Sequence, residues 1–149
     1  MDGLSIAIVV FIFLEILNVI ILYFAPGTKR GNGLGVFSAY EKSKNDPDVY
    51  ALIKYLINWI AGTKLIFIAL LLVIILTGNT TTKIFSIAAL IVSIASFFWR
   101  LYPGIKQIDD SGQISPKNYS KTLGTMIATF IGFFVTALVA FLLKYYQNH

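Results

Sequence analysis

The sequence predicts an all-α integral membrane protein, a four-transmembrane-helix bundle with both termini outside and two cytoplasmic loops. Three observations predict this class: the composition, four long apolar runs, and the distribution of Lys and Arg. Of the 149 residues, 57% are hydrophobic and only 13% are charged, and the mean hydropathy is +0.78. Because soluble globular domains carry about 25% charged residues, this composition argues against a water-soluble fold. The length is that of one domain.

Four apolar runs are each long enough to cross the core of a bilayer, which takes about 20 residues of helix. Backbone amides without hydrogen bonds are too costly in hydrocarbon, so each run is predicted to be helical. We therefore expect one membrane domain over residues 1–149. The predicted spans are 4–24, 51–76, 84–102 and 123–143, and the predicted cytoplasmic loops are 25–50 and 103–122.

Several helix ends carry local signals. Asp46 is a good N-cap and Pro47 fits the first helical position, so the second helix is predicted to begin there, before the apolar run. Pro103 is predicted to end the third helix, because proline lacks an amide donor and clashes with the preceding turn. The fourth helix is predicted to open near either Ser115 or Ser120.

The positive charges of the segments between the spans are unevenly distributed. Four Lys or Arg residues lie in the first long loop and four more flank the second, whereas two lie on the opposite side. Positively charged loops stay in the cytoplasm. The distribution thus predicts outward termini and a multi-pass protein of the inner or plasma membrane.

Two ionisable side chains lie inside the predicted spans. Glu15 is halfway along the first span, with Asn18 about one turn deeper, and Lys64 lies inside the second span. Each charge at such a depth costs about 2.5–3.5 kcal/mol unless it is paired or hydrated. The similar depth permits a Glu15–Lys64 pair. Asn58 is the other polar candidate, but it projects about 120° from Lys64 around the helix, which disfavours one large polar site.

Three roles for these charges remain open. A Glu15–Lys64 pair could lock the first helix against the second and fix their register. Alternatively, a buried carboxylate could exchange a proton or an ion beside the lysine. In the third alternative, Lys64 extends its long stem towards the interface and Glu15 is protonated.

Small residues on the last two spans predict close helix packing. The fourth span carries Gly124, Ala128 and Gly132 at intervals of four, and the third carries Ser86 and Ser93 on one face. Since lipid is as apolar as leucine, membrane helices associate where small side chains let their backbones approach. We expect the third and fourth helices to pack through these faces. A homo-oligomer face and a polar conduit are the alternatives.

The loops offer weaker signals. A glycine-rich GNGLG stretch follows Lys29 and Arg30 and is predicted to be a flexible exit turn, with contact to anionic lipid headgroups as the alternative. A short interfacial helix is predicted within 36–44. Around Asp109 and Asp110 the second loop predicts a tight turn or a small hairpin.

The residue inventory argues against several kinds of chemistry. The chain has no Cys, and its one His is His149, so the ligands for zinc, haem or thiol chemistry are lacking. We therefore expect no metal, no cofactor and no enzymatic activity. The pI of about 9.5 is attributed to topology and to anionic lipid rather than to nucleic acid.

From the sequence, the favoured function is a small proton- or ion-coupled transporter or channel that uses an intramembrane carboxylate. Glu15 would be the site, Lys64 its partner and Asn18 an orienting group. The alternative is a non-catalytic membrane subunit or regulator that binds partner helices or lipid. A homo-oligomer or a partner subunit is compatible with either function.

Overall fold

A computed structural model describes residues 2–147, and the regular secondary structure of these residues is helical. Four helical segments are long and apolar enough to cross a membrane: Gly3–Phe24, Pro47–Thr77, Thr80–Asp110 and Tyr119–Gln147. A single 3₁₀ turn, Leu34–Val36, lies in the first long loop. The α-helices are α1 (Gly3–Phe24), α2 (Ser38–Ser43), α3 (Pro47–Thr77), α4 (Thr80–Ala95), α5 (Phe97–Asp110) and α6 (Tyr119–Gln147).

Helix α1 is the centre of the bundle. It packs most extensively against α3 and also contacts α4 and α6. The Phe11 ring of α1 joins three helices: it meets Phe67 of α3 edge-on, with ring centroids 5.9 Å apart, and Phe134 of α6 at 5.4 Å. Phe134 is completely buried. Edge-to-face contacts between aromatic rings are favourable beyond the area they bury, so this cluster stabilises the middle of the bundle.

The two ends of the bundle are held differently. We call the end that carries Asp2 and the α3–α4 turn the terminal end. There the Asp2 carboxylate caps α1 by accepting a hydrogen bond from the Ser5 amide at 2.7 Å, and it lies 3.5 Å from the Lys83 ammonium at the start of α4. Burial alone would raise the pKa of Asp2. The hydrogen bonds from Ser5 and the Lys83 charge outweigh it and hold that pKa below its usual value.

We call the opposite end, which carries residues 25–46 and 111–118, the loop end. Here α3 begins as the sequence predicts: Asp46 is the N-cap, its side chain accepts from the amides of Asp48 and Val49, and Pro47 is the first helical residue. Proline is tolerated at that position because its missing amide would have no partner within the helix.

The predicted end of the third helix at Pro103 is wrong. The helix is interrupted only at Ser96, whose backbone stays close to helical geometry, and α5 then continues to Asp110 with Pro103 in its interior. An interior proline removes a single backbone hydrogen bond, to the carbonyl of Trp99, and the remaining turns of α5 compensate. The second loop is correspondingly shorter than predicted and covers 111–118.

Of the two alternatives for the second loop, the structure shows the tight turn and not the hairpin. Gly112 adopts a positive φ of 73° and turns the chain after α5. Ile114 then pairs with Phe37 of the first loop in an isolated antiparallel bridge, in which the Ser38 amide donates to the Gln113 carbonyl at 2.9 Å. The two loops are thus joined to each other.

The start of α6 depends on Asp109. Its Oδ2 accepts hydrogen bonds from the Ser120 amide at 2.8 Å and from the Ser120 hydroxyl at 2.7 Å, and both residues are buried. The last turn of α5 therefore supplies the cap for the first turn of α6. This explains why α6 opens at Tyr119 beside Ser120 and not at Ser115.

We predict that Asp109→Ala lowers the melting temperature of the detergent-purified protein by several degrees, because two buried donors lose their acceptor. The neighbouring Asp110 is exposed, so Asp110→Ala is the matched control and should melt like the wild type. Equal melting temperatures for the two variants would show that the Asp109 cap does not stabilise the fold.

Candidate functional site

The structure brings Glu15 and Lys64 together as an ion pair between α1 and α3. Lys64 Nζ donates to Glu15 Oε2, and the two side chains are only 25% and 13% exposed, respectively. At 1.5 Å per residue, Glu15 lies about 18 Å along α1 from Gly3, and Lys64 lies about 20 Å along α3 from Thr77. The helices are antiparallel and these starting points are at the same end, so the two charges meet at one level.

The pair occupies the apolar contact surface between α1 and α3, which we call the α1–α3 seam. On α1, Glu15 follows the buried Phe11 by four residues and precedes the buried Val19 by four. On α3, Lys64 stands between the buried Ala61 and Ile68. Intervals of three and four are the spacing with which two helices interlock their side chains. Glu15 and Lys64 therefore occupy positions at which this packing normally places apolar side chains.

The two asparagines of the predicted site lie elsewhere. Asn18 is half-buried, and its Oδ1 lies against the first loop, 3.5 Å from where a Cβ on Gly31 would be. Within residues 2–147 its amide makes no hydrogen bond, so it does not orient the ion pair. Asn58 is exposed on α3. Of the four predicted residues, the structure thus brings two together.

The predicted ladder of small residues on α6 serves the packing only in part. Gly124 is buried, and a Cβ there would lie 2.8 Å from the Tyr102 ring of α5. Ala128 and Gly132 are exposed, and a Cβ on Gly132 would have nothing within 4 Å. The prediction was wrong for these two residues. Each step of four residues turns about 40° around a helix, so the ladder leaves the face that contacts α5.

The serines of α4 also face a different neighbour from the one predicted. Ser86 and Ser93 line a groove of about 190 Å³ between α3 and α4, beside Phe67 and Leu71. The Ser86 hydroxyl donates back to the Thr82 carbonyl at 2.7 Å, so it is satisfied within its own helix. The residues that α4 buries are Ile87 and Leu90. Packing of α4 against α6 therefore does not use the serine face.

The loop end is a folded cap that the sequence did not predict. We define the loop cap as residues 26–45 with 111–118. Within it Val36, Tyr40 and Ile114 are almost completely buried, and burial, with the nearby Tyr50 hydroxyl, raises the pKa of Tyr40. The glycine-rich stretch is packed and is not an open turn, because a Cβ on Gly35 would collide with backbone carbonyls. The bridge between the two loops is the long-range contact that organises this cap.

The fold and the seam together define a class: an all-helical chain with four helices long and apolar enough to span a membrane, and an ion pair between two of them. Among residues 2–147 no three His, Cys, Asp or Glu side chains come together in a way that could hold a metal ion. No protein-family model, curated protein or solved structure matches the chain.

We predict that Glu15 and Lys64 are energetically coupled, so that removing one of the two charges destabilises the fold more than removing both. Glu15→Gln or Lys64→Met alone should lower the free energy of unfolding in detergent by about 2–3 kcal/mol, because each leaves one charge without its partner. The double variant should be closer to the wild type than either single variant. Lys54→Met, which removes an exposed lysine of the same helix, is the control. Single effects that simply add in the double variant would exclude energetic coupling between the two side chains.

Proposed function

We propose that this chain is an integral membrane protein of the inner or plasma membrane, with the loop end in the cytoplasm and both termini outside. Four helices of sufficient length and hydropathy support the insertion. The orientation follows from charge: eight Lys or Arg residues lie in the two loops joined by the Phe37–Ile114 bridge, on α5 or at the start of α6, whereas Lys83 and Lys144 lie towards the opposite end. Positive charge marks the cytoplasmic side.

We further propose that the protein is a proton- or ion-coupled transporter or channel in which Glu15 is the exchanging group. The observation that carries this proposal is the Glu15–Lys64 pair in an otherwise apolar seam. Ionisable residues at membrane depth are costly, and they are found mainly where protons or ions move. The pair can also fix the register of α1 against α3, and the flux measurements below separate that role from ion exchange.

In the proposed mechanism, the pair is an element with two states. In the paired state, Lys64 Nζ donates to Glu15 Oε2 and both charges are compensated. A proton or a cation that reaches the carboxylate competes with Lys64 for the same oxygen. The released Lys64 ammonium then moves away from Glu15 on its four-carbon side chain, and the contact between α1 and α3 weakens around these two residues. Departure of the proton or cation restores the pair, so binding biases one arrangement of α1 and α3 and release biases the other.

We predict that purified protein in liposomes carries a flux of protons, Na⁺ or K⁺ that Glu15→Gln lowers at least tenfold. The flux is measured with a pH-sensitive dye inside the liposomes and with ion-selective electrodes outside. Lys54→Met should keep the wild-type flux, because it changes the charge of α3 without touching the pair.

The exchanged variant Glu15→Lys with Lys64→Glu separates the two roles of the pair. It can re-form an ion pair and should recover stability, but it moves the carboxylate from α1 to α3 and should not recover flux. Full flux in Glu15→Gln would refute the carboxylate mechanism. Full flux in the exchanged variant would show that the pair acts only by holding the seam together.

A second candidate function is that of a non-catalytic membrane subunit whose α6 binds another transmembrane helix. The observation that favours it is the outward position of Ala128 and Gly132, where a neighbouring backbone could approach closely. Beside them lies an apolar groove of about 370 Å³ between α1 and α6, lined by Val10, Met126, Thr129, Phe130 and Phe133. A helix from a second copy or a partner subunit fits such a surface.

The lack of cysteines makes this second candidate directly testable. We predict that Ala128→Cys forms a disulfide-linked dimer in native membranes and that an added Gly132→Leu abolishes the cross-link, because a bulky side chain keeps the helices apart. Val135→Leu adds apolar volume at another exposed position of α6 and should leave the cross-link intact. If Gly132→Leu cross-links as well as Val135→Leu, the small-residue face does not mediate association.

A further inference from the structure

The loop cap carries an open pocket, lined by charged, hydroxyl and apolar side chains, that the proposed transport function does not use. The pocket has a volume of about 480 Å³ and lies where the two long loops meet. Both loops contribute to its wall, so it exists only because the Phe37–Ile114 bridge joins them. Its lining residues are Gly27, Lys29, Gly35, Val36, Phe37, Ser38, Glu41, Lys42, Gly112, Gln113, Ile114 and Ser115.

The charges around this pocket favour an anion. Lys29 and Lys42 both line it, and within residues 2–147 neither forms an ion pair. The one acidic lining residue is Glu41, whose two carboxylate oxygens are both bonded by Lys44 at 2.7–2.8 Å. Glu41 is thereby compensated from outside the pocket, and the two lysines leave the pocket with an excess of positive charge.

Two hydroxyl groups add donors to the same wall. Ser38 and Ser115 line the pocket, and their side chains form no hydrogen bond with any residue of the described part of the chain. Two ammonium groups and two hydroxyls are donors suited to the oxygens of a phosphate group. The chemistry of the pocket therefore points to a phosphate-bearing ligand.

An apolar groove adjoins this pocket. It has a volume of about 350 Å³, and the pocket and the groove share Phe37 and Gln113 as lining residues. The groove follows the first turns of α3 from Ile53 to Ile60, a length of about 10 Å, and Ile60 is half exposed on the outer surface of the bundle. A basic pocket next to an open apolar groove matches a molecule with an anionic head and a hydrocarbon tail.

We propose that the loop cap binds one anionic phospholipid, with its phosphate between Lys29 and Lys42 and the upper part of one acyl chain in the groove along α3. The observations that carry this are the uncompensated lysines and the adjoining groove. The proposal rests on the proposed insertion and orientation, because only then do the cap and the first turns of α3 meet the headgroup region. It does not depend on ion flux.

The expected effect follows from the two lysines. A basic residue near anionic headgroups contributes about fivefold to lipid affinity, so replacing both lysines should weaken binding by about 25-fold. The effect should shrink as salt is raised, since both lysines are exposed.

The experiment titrates the detergent-purified protein with phosphatidylglycerol or with phosphatidylcholine of the same chain length and counts bound lipid by native mass spectrometry. Wild-type protein should show one saturable site that prefers phosphatidylglycerol, and Lys29→Gln with Lys42→Gln should lose that preference. Lys106→Gln with Lys121→Gln removes the same charge from exposed residues that line neither the pocket nor the groove, and it should retain the preference. Circular dichroism verifies that both double variants stay helical.

A second arm tests the groove. Ala39→Phe fills it from the exposed α2 side and should weaken phosphatidylglycerol binding while leaving the weaker binding of glycerol phosphate unchanged. Equal preference for phosphatidylglycerol in the two lysine double variants would overturn the site. Glycerol phosphate that binds as tightly as the lipid would overturn the role of the acyl chain. Carbonate extraction of membranes separately tests insertion, and lipid binding without flux would leave this proposal standing.

Discussion

The register of α1 against α3 is the constraint on which the rest of the bundle depends. In lipid, the apolar residues of the seam gain little by contacting each other, because acyl chains are equally apolar. The Glu15–Lys64 pair is different. A slip of one helical turn, about 5.4 Å, would separate the two charges and leave each at a cost of about 2.5–3.5 kcal/mol. In the proposed membrane setting, the pair therefore selects one register out of several that apolar packing would accept.

Once this register is set, the remaining helices are held by α1 and by polar contacts at the ends. The Phe11 ring is positioned to receive Phe134 of α6, and Asp2, at the start of α1, faces Lys83 at the start of α4. At the other end Asp109 ties α5 to α6 through Ser120. Polar contacts thus fix the bundle at three levels, and the apolar side chains fill the space between them.

The parts of this fold that follow local rules could be predicted from the sequence. Asp46 and Pro47 mark the start of α3 through capping geometry. Matched depth permitted a pair of Glu15 and Lys64 as one of the alternatives, and the structure brings these two side chains into contact. The predicted helix end at Pro103 was wrong, because the steric rule for proline describes one residue and does not take into account the helical turns that continue after it. Nearly all the other residues around Glu15 in α1, and those from Leu65 to Leu76 in α3, are apolar, so no pattern in the sequence marks the face of either helix that forms the seam.

The other errors arise from contacts that no local pattern encodes. Spacing shows that Gly124, Ala128 and Gly132 lie near one stripe, but it does not show which helix lies opposite that stripe, and the neighbour turned out to be Tyr102 for the first of them alone. The bridge between Phe37 and Ile114 joins residues from two loops that are separated by three helices. Neither loop has a periodic pattern, so this pairing, and the pocket it forms, depended on the tertiary structure.

The seam and the loop cap are mechanically connected through α1. Gly31 of the cap, whose φ of 57° favours a glycine, lies against Ile21 and Asn18, which are about two turns and about one turn from Glu15, respectively. The groove of the cap is built on the first turns of α3, the other helix of the seam. A rearrangement of α1 against α3 at the ion pair would therefore move both walls of the cap. If Glu15 exchanges a proton or cation and the cap binds lipid, as proposed above, a lipid that favours one arrangement would change the affinity of Glu15 for that ion. Occupancy of Glu15 would change the lipid affinity by the same factor, because the two equilibria would share one conformational change.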